Sequence, residues 1–311
     1  MRRALAIAVS SMVVLASCGG SSSSSDTIVV EASQEKCVPT EQNPTIGLAA
    51  ITEEYKVVMW DSPDSSTPRQ LGQIGDNPFS SSSGSDLTVV ESVAVSPKTC
   101  EVFVGACCEP VSGITYYDKQ NDGVWEILTG HLPSISPDGD LLALVSYEQL
   151  VISSVETPEK ENLVINLPAS DVATIHRAQW INNDEIALSG FMNDGAYLWI
   201  ANMSTRSLRE GVQISDTIDG ASHGTSLVGL IGVDESDNVV TQSIATEQQT
   251  VVEYRYPESL AVRSTDKLSG FVRSYVMRGK RSVMVSDNGA LTTWFANGNP
   301  LPLSGKFVWA G

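Results

Sequence analysis

The residues best suited to chemistry are few. His131, His176 and His223 are the three histidines of the chain, 45 and 47 residues apart. Three converging neutral imidazoles with one open position can hold Zn, Mn or another divalent ion; loop histidines that are merely solvated or hydrogen-bonded are the competing reading. Arg177 and Arg273 fall at equivalent places in two later units, with Glu91 at a similar depth in an earlier one. Paired guanidinium groups can bind a carboxylate or phosphate bidentately, unless each is spent on one of the many carboxylates. Gly220-Ala221-Ser222-His223-Gly224 has the G-x-S-x-G spacing of a nucleophile elbow. An elbow joins a buried strand to a helix, whereas residues 215–220 are polar and residues 225–233 read as a strand. Asp118 to Gly123 begins like a calcium loop, but its twelfth position is Thr129 where Glu is needed, so it reads as a turn. No catalytic residue is assigned.

These groups must be positioned by strands. From Thr45 onward, short runs rich in Val, Ile, Thr, Tyr and Trp alternate with Gly, Asp, Asn and Pro, and no long stretch keeps a 3.6-residue apolar period. The chain is therefore expected to be all-β. It also repeats: Ser96-Pro97, Ser136-Pro137, Asn182-Asn183, Asp234-Glu235 and Arg278-Gly279 follow similar apolar runs, with spacings of 40, 46, 52 and 44 between the second residues of these pairs. Repeats of this length with four strands each are the signature of a propeller. One unit shows the order plainly in residues 92–96, 102–106, 114–118 and 124–128, with Asp122-Gly123 as a hairpin turn.

The first unit has only three strands, residues 46–51, 57–60 and 69–73. Phe307-Val308-Trp309-Ala310 has the character of an inner strand and could complete it, removing exposed sheet edges. The expectation is thus a six-bladed β-propeller, with seven blades as the alternative, closed by the C-terminal strand and occupying residues 45–311. A frayed C-terminal tail is the competing reading.

The segment Ser136-Pro137-Asp138-Gly139-Asp140-Leu141-Leu142-Ala143 resembles the repeat of TolB-type, WD-repeat-like bacterial propellers, in which a Ser-Pro-Asp-Gly turn joins the two inner strands. Ser96-Pro97 matches in part; the other units depart from it. The resemblance implies a rigid interaction platform, by analogy, since one fold hosts many functions.

The N-terminus supplies an address. Met1-Arg2-Arg3 is followed by an apolar stretch from Ala4 to Leu15 and then Ala16-Ser17-Cys18. The stretch falls short of the roughly 20 apolar residues of a membrane span and reads as an export signal. Its Leu15-Ala16-Ser17-Cys18 end resembles the cleavage and acylation site of bacterial lipoprotein precursors. The expectation is a signal peptide over residues 1–17, lipidation of Cys18 and a Gly/Ser-rich tether over residues 18–44; an ordinary secretory signal is the alternative. The protein would then be exported and held on the outer face of the cell membrane, or the periplasmic face of an envelope membrane.

An oxidising compartment permits disulfides among Cys37, Cys100, Cys107 and Cys108, though residues 100–107 in one extended strand would span roughly 23 Å, too far for a bridge. The formal charge is −18, or −20 (−18 − 2) once Arg2 and Arg3 are removed with the signal. That balance disfavours nucleic acid and favours cationic or neutral partners. The reading is a monomeric, non-catalytic, membrane-anchored binding or scaffold platform without cofactor, whose partner is an envelope protein or exported ligand. The alternative is a metal-dependent lyase or hydrolase acting on a sugar or small ester, with one divalent ion on His131, His176 and His223.

Overall fold

Alternating β-branched and small polar residues drive the chain into 24 antiparallel strands and no helix among the described residues. The computed structural model describes residues 47–311 except 55, 61–67, 74–88, 108–112, 119–124, 170–172, 217–227, 247–248, 270–271, 279–280, 287–288 and 294–305. Every described residue belongs to the unit Ala32–Gly311.

Sheet one comprises β1 (Leu48–Thr52), β2 (Lys56–Trp60) and β3 (Arg69–Gln73). Sheet two holds β4 (Val89–Val95), β5 (Val102–Cys107), β6 (Ile114–Asp118) and β7 (Glu126–Thr129), and sheet three β8 (His131–Ile135), β9 (Leu141–Ser146), β10 (Gln149–Ser154) and β11 (Thr157–Asn166). Sheet four contains β12 (Ala173–Trp180), β13 (Glu185–Met192) and β14 (Gly195–Asn202), with β15 (Ser207–Leu208) and β16 (Val212–Ser215) sharing the outer edge of β14. Sheet five is β17 (Gly229–Val233), β18 (Val239–Thr246), β19 (Gln249–Arg255) and β20 (Val262–Ser269). Sheet six is β21 (Val272–Arg278), β22 (Arg281–Ser286) and β23 (Leu291–Thr293). The last strand, β24 (Phe307–Ala310), returns to sheet one and pairs antiparallel with β1, Ala50 facing Ala310.

This corrects the expected blade number. Five complete blades of four or five strands are present, not six or seven; the remaining sheet, β21–β23, has three strands among the described residues. A blade-length spacing counts repeat segments and not ladder partners, so it credited sheet six with four strands where three pair among the described residues.

The inner strands succeed one another as β24, β4, β8, β12, β17 and β21, which again meets β24. The core lies between facing sheets. Ala49, Ile51 and Met59 pack on Val93, Val95 and Val104; Phe103 and Tyr117 pack on Leu142 and Leu144. Trp60, Val285 and Phe307 share a cluster where sheet one meets sheet six, the Trp60 and Phe307 ring centroids being 5.7 Å apart.

Buried polar side chains on first and second strands tie four of the sheets to the inner strand of the next. Ser134 accepts from the Trp180 N–H at 3.3 Å, Ser189 from the Leu230 N–H at 3.1 Å, and Ser274 from the Ala310 N–H at 2.9 Å. Gln242 donates to the Val272 carbonyl and accepts from its N–H. Burying a polar group without a partner costs free energy, so these bonds fix which strand sits where. The buried Ser92 hydroxyl has no such bond: Pro133 of β8 lies against Gly105, its register partner, and proline has no N–H to give.

Candidate functional site: a cup around the central channel

The inner strands enclose a cavity of about 820 Å³. Its level can be read along the strands. Leu132, Arg177, Leu230 and Tyr275 lie at one depth, and Pro97, Pro137, Asp234, Glu235 and Asp237 lie on the turns that lead out of the inner strands. The cavity is therefore a cup, with those turns as its rim.

Arg177 forms the floor. It is 6 % exposed, and its guanidinium crosses from β12 past the neighbouring β17 to donate to the Arg273 carbonyl on β21. Burial lowers its affinity for the proton to a pKa of about 10, still charged at neutral pH. It is the one cationic side chain among the described residues lining the cup. The walls are mainly apolar, including Val93, Leu132, Ile135, Trp180, Ile231 and the ring of Tyr275. Gly232 is needed there: a Cβ at that position would stand 2.2 Å from Tyr275 Cδ1, so only glycine lets the ring lie against β17.

The rim is acidic and stiff. Asp234 accepts from the N–H groups of Ser236 and Asn238, both at 2.9 Å, and from the Asn238 amide, which closes the β17–β18 turn. Burial and then the neighbouring Asp234 charge push the Asp237 carboxyl above its ordinary value. Gly139 has a φ of +78°, the left-handed conformation that closes the Ser136–Gly139 turn. Turn is tied to turn: Ser96 donates to the Gly139 carbonyl, Lys98 pairs with Asp140, and the Asp138 N–H donates to Asn183 Oδ1 at 3.3 Å.

The histidines lie elsewhere. His131 starts β8 against Gly113, and His176 sits in β12; neither lines the cup. The His176 ring stacks on Phe191 at 4.6 Å, its Nε2 is 3.3 Å from Ser189 Oγ, and it faces Gly229 of the next sheet. Burial, then the adjacent Arg177 charge, depress its pKa to about 3. His223 lies outside the described residues, as does all of Gly220–Gly224. Among the described residues no group of three or more His, Cys, Asp or Glu is arranged to hold a metal ion.

Arg177 and Arg273 do come together, through the side chain of one and the main chain of the other. The Glu91 side chain lies outside the described residues, as do Cys18, Cys37, Cys108 and the side chain of Cys107. Cys100 is buried and disulfide-bonded. The sequence reading missed the acidic rim and the Ser189–His176 contact. The recurrence of serine in the inner strands, at Ser134 and Ser274, was the available signal for the strand-to-strand bonds.

No family model matches the chain, and no curated protein matches it in sequence. Solved structures do match in shape. A chain of the nidogen/laminin complex superposes with a TM-score of 0.54 at 10 % identity, covering 85 % of this chain and 96 % of that one. The Dos1 propeller gives 0.49 at 13 % identity, over 83 % and 68 % of the two chains. TolB from Acinetobacter baumannii gives 0.48 at 12 % identity, over 85 % and 66 %. At such identities the likeness is one of fold, and the fold is a β-propeller.

Proposed function

We propose that the protein is an exported lipoprotein, anchored through Cys18, whose propeller presents the stiff acidic rim of its cup to a cationic or neutral partner in the cell envelope, without catalysis. The observation that carries this reading is the rim itself. The turns after β4, β8 and β12 are held to one another by side-chain bonds, and Asp234 closes the turn that carries Glu235 and Asp237, so binding there would not have to order a loose surface. Glu235 and Asp237 stand on that rim and give it a sign. The proposed anchor is the lipid on Cys18; among the described residues no helix is long and apolar enough to cross a membrane. The Gly/Ser run behind Cys18 is the proposed tether.

We assign Cys37 as the disulfide partner of Cys100. Cys107 closes the extended strand that begins just after Cys100 and is out of reach, roughly 23 Å away at about 3.3 Å per residue; Cys108 lies one residue further. The bridge would fasten the tether to sheet two.

The test is affinity purification from detergent-solubilised envelope after in-cell crosslinking, with wild type and the Glu235→Lys/Asp237→Lys variant side by side. A partner recovered stoichiometrically with wild type and lost with the variant supports the rim as the binding face. Equal recovery with both moves the interface elsewhere.

A further inference from the structure

We infer that the cup is a ligand site of its own, built for a small organic ammonium with a bulky apolar body, its charge held at the mouth by Glu235 and Asp237 and its body seated against the walls below. This goes beyond the proposed rim interface and stands without it, because the ligand binds a single chain with no protein partner. Three features of one cavity lead there: its apolar walls, its proportions and the two carboxylates at its mouth. Pockets of several hundred Å³ with apolar walls and a few placed polar groups are the usual form of small-ligand sites; the volume here is about 820 Å³.

The carboxylates set the charge of the ligand. Other acidic side chains of the rim are already engaged: Asp138 accepts from Ser136 Oγ and the Asp140 N–H, Asp140 pairs with Lys98, and Asp234 closes its own turn through the N–H groups of Ser236 and Asn238. The carboxylates of Glu235 and Asp237 make no hydrogen bond or ion pair among the described residues; both residues are exposed, and both line the cup. They lie on the β17–β18 turn beside the Asp234 charge, so a cation at the mouth is attracted by all three. An anion would meet the same group in a chain of net charge −18. Deeper in the cup an ammonium would be a charge buried without a partner, which is costly, so the part of the ligand that goes down is uncharged. The ligand asks nothing of Arg177, whose guanidinium is engaged at the Arg273 carbonyl.

The walls set its body. Leu132, Ile135, Leu230, Ile231 and Val233 line the cup below the turns. On β17 the lining runs unbroken over residues 230–233, three steps of about 3.3 Å, so the wall beneath the carboxylates is about 10 Å deep. A space of about 820 Å³ with that depth is roughly 80 Å² in section, several times the girth of a single alkyl chain. A lone chain would leave most of the wall facing a gap and forfeit its contacts. A compact ring system reaches more of the wall at once.

Isothermal titration calorimetry with the intact protein at pH 7 tests this, using adamantylmethylamine, its neutral counterpart adamantylmethanol, and cyclohexylmethylamine. The adamantyl amine should bind at one site per chain. Exchanging its ammonium for a hydroxyl should weaken binding about tenfold, the loss of one charge-assisted contact. The cyclohexyl amine, with about four fewer carbons to bury, should bind on the order of a hundredfold more weakly than the adamantyl amine. Glu235→Gln/Asp237→Asn should bring the adamantyl amine down to the affinity of the alcohol and leave the alcohol unchanged, with thermal unfolding confirming that the variant is folded. Equal affinity for amine and alcohol, equal affinity for the two ring sizes, or no binding of the adamantyl amine at millimolar concentration would overturn the inference. The titration contains no partner protein, so such a result leaves the rim interface to its own crosslinking test.

Discussion

His176 should make the protein acid-sensitive in a window that can be calculated. In the folded state its imidazole is enclosed by Phe191, Ser189 and Gly229, and burial together with Arg177 depresses the pKa to about 3, opposed in part by the main-chain groups of Val228 and Thr174. In the unfolded chain the ordinary value of about 6.5 returns. Between these values the unfolded state binds a proton that the folded state refuses, so stability falls as pH falls from 6.5 towards 3. Each pH unit inside the window is worth about 1.4 kcal/mol, and between pH 7 and 4.5 the group should withdraw about 3 kcal/mol. The assay is urea denaturation at both pH values, for wild type and His176→Gln. Other titrating groups act on both proteins, so the difference between the two pH dependences isolates the imidazole. Wild type should lose about 3 kcal/mol more than the variant. Parallel losses would show that the ring is not held neutral by its surroundings, and the reasoning would fail.

Other consequences follow from single contacts. Phe307→Ala removes a 1 %-exposed ring from the cluster joining β24 to Trp60 and Val285, and should cost about 3–5 kcal/mol in chemical denaturation. Gly232→Ala should drive the Tyr275 ring off β17 and cost about 1–3 kcal/mol, seen as a lowered Tm. Cys37→Ser should free one thiol at Cys100, counted by titration of the unfolded protein, and remove about 4 kcal/mol of stability if closing a loop of this length acts through the unfolded chain.

Much of the fold was legible in the sequence because propeller repeats are local. Pro97, Pro137, Asn183 and Glu235, four of the five anchors of the repeat, lie on turns between first and second strands, and the fifth, Gly279, lies outside the described residues. The pairing of β24 with β1 was legible for the same reason: an orphan apolar strand at one end matched a missing strand at the other. The number of complete blades was not, because a blade-length period counts segments and not ladder partners. The site was harder. Spacing placed Arg177 and Arg273 at comparable depths, yet nothing local revealed that the Arg177 side chain crosses the channel to a carbonyl. His131 and His176 share a position in their repeats, but strand alternation and the bulge between Ile175 and Arg177 direct Arg177 to the cup and leave His176 against Phe191. Periodicity gives depth along the channel; which face a side chain takes depends on bulges that it does not encode.

Phase partitioning of the full precursor expressed in a bacterium, wild type beside Cys18→Ser, tests the tethered-platform account most directly. Wild type is predicted to enter the detergent phase as a form cut before Cys18 and heavier at that residue by its acyl chains, with the variant left in the aqueous phase. Wild type recovered in the aqueous phase with an unmodified Cys18 would contradict the account.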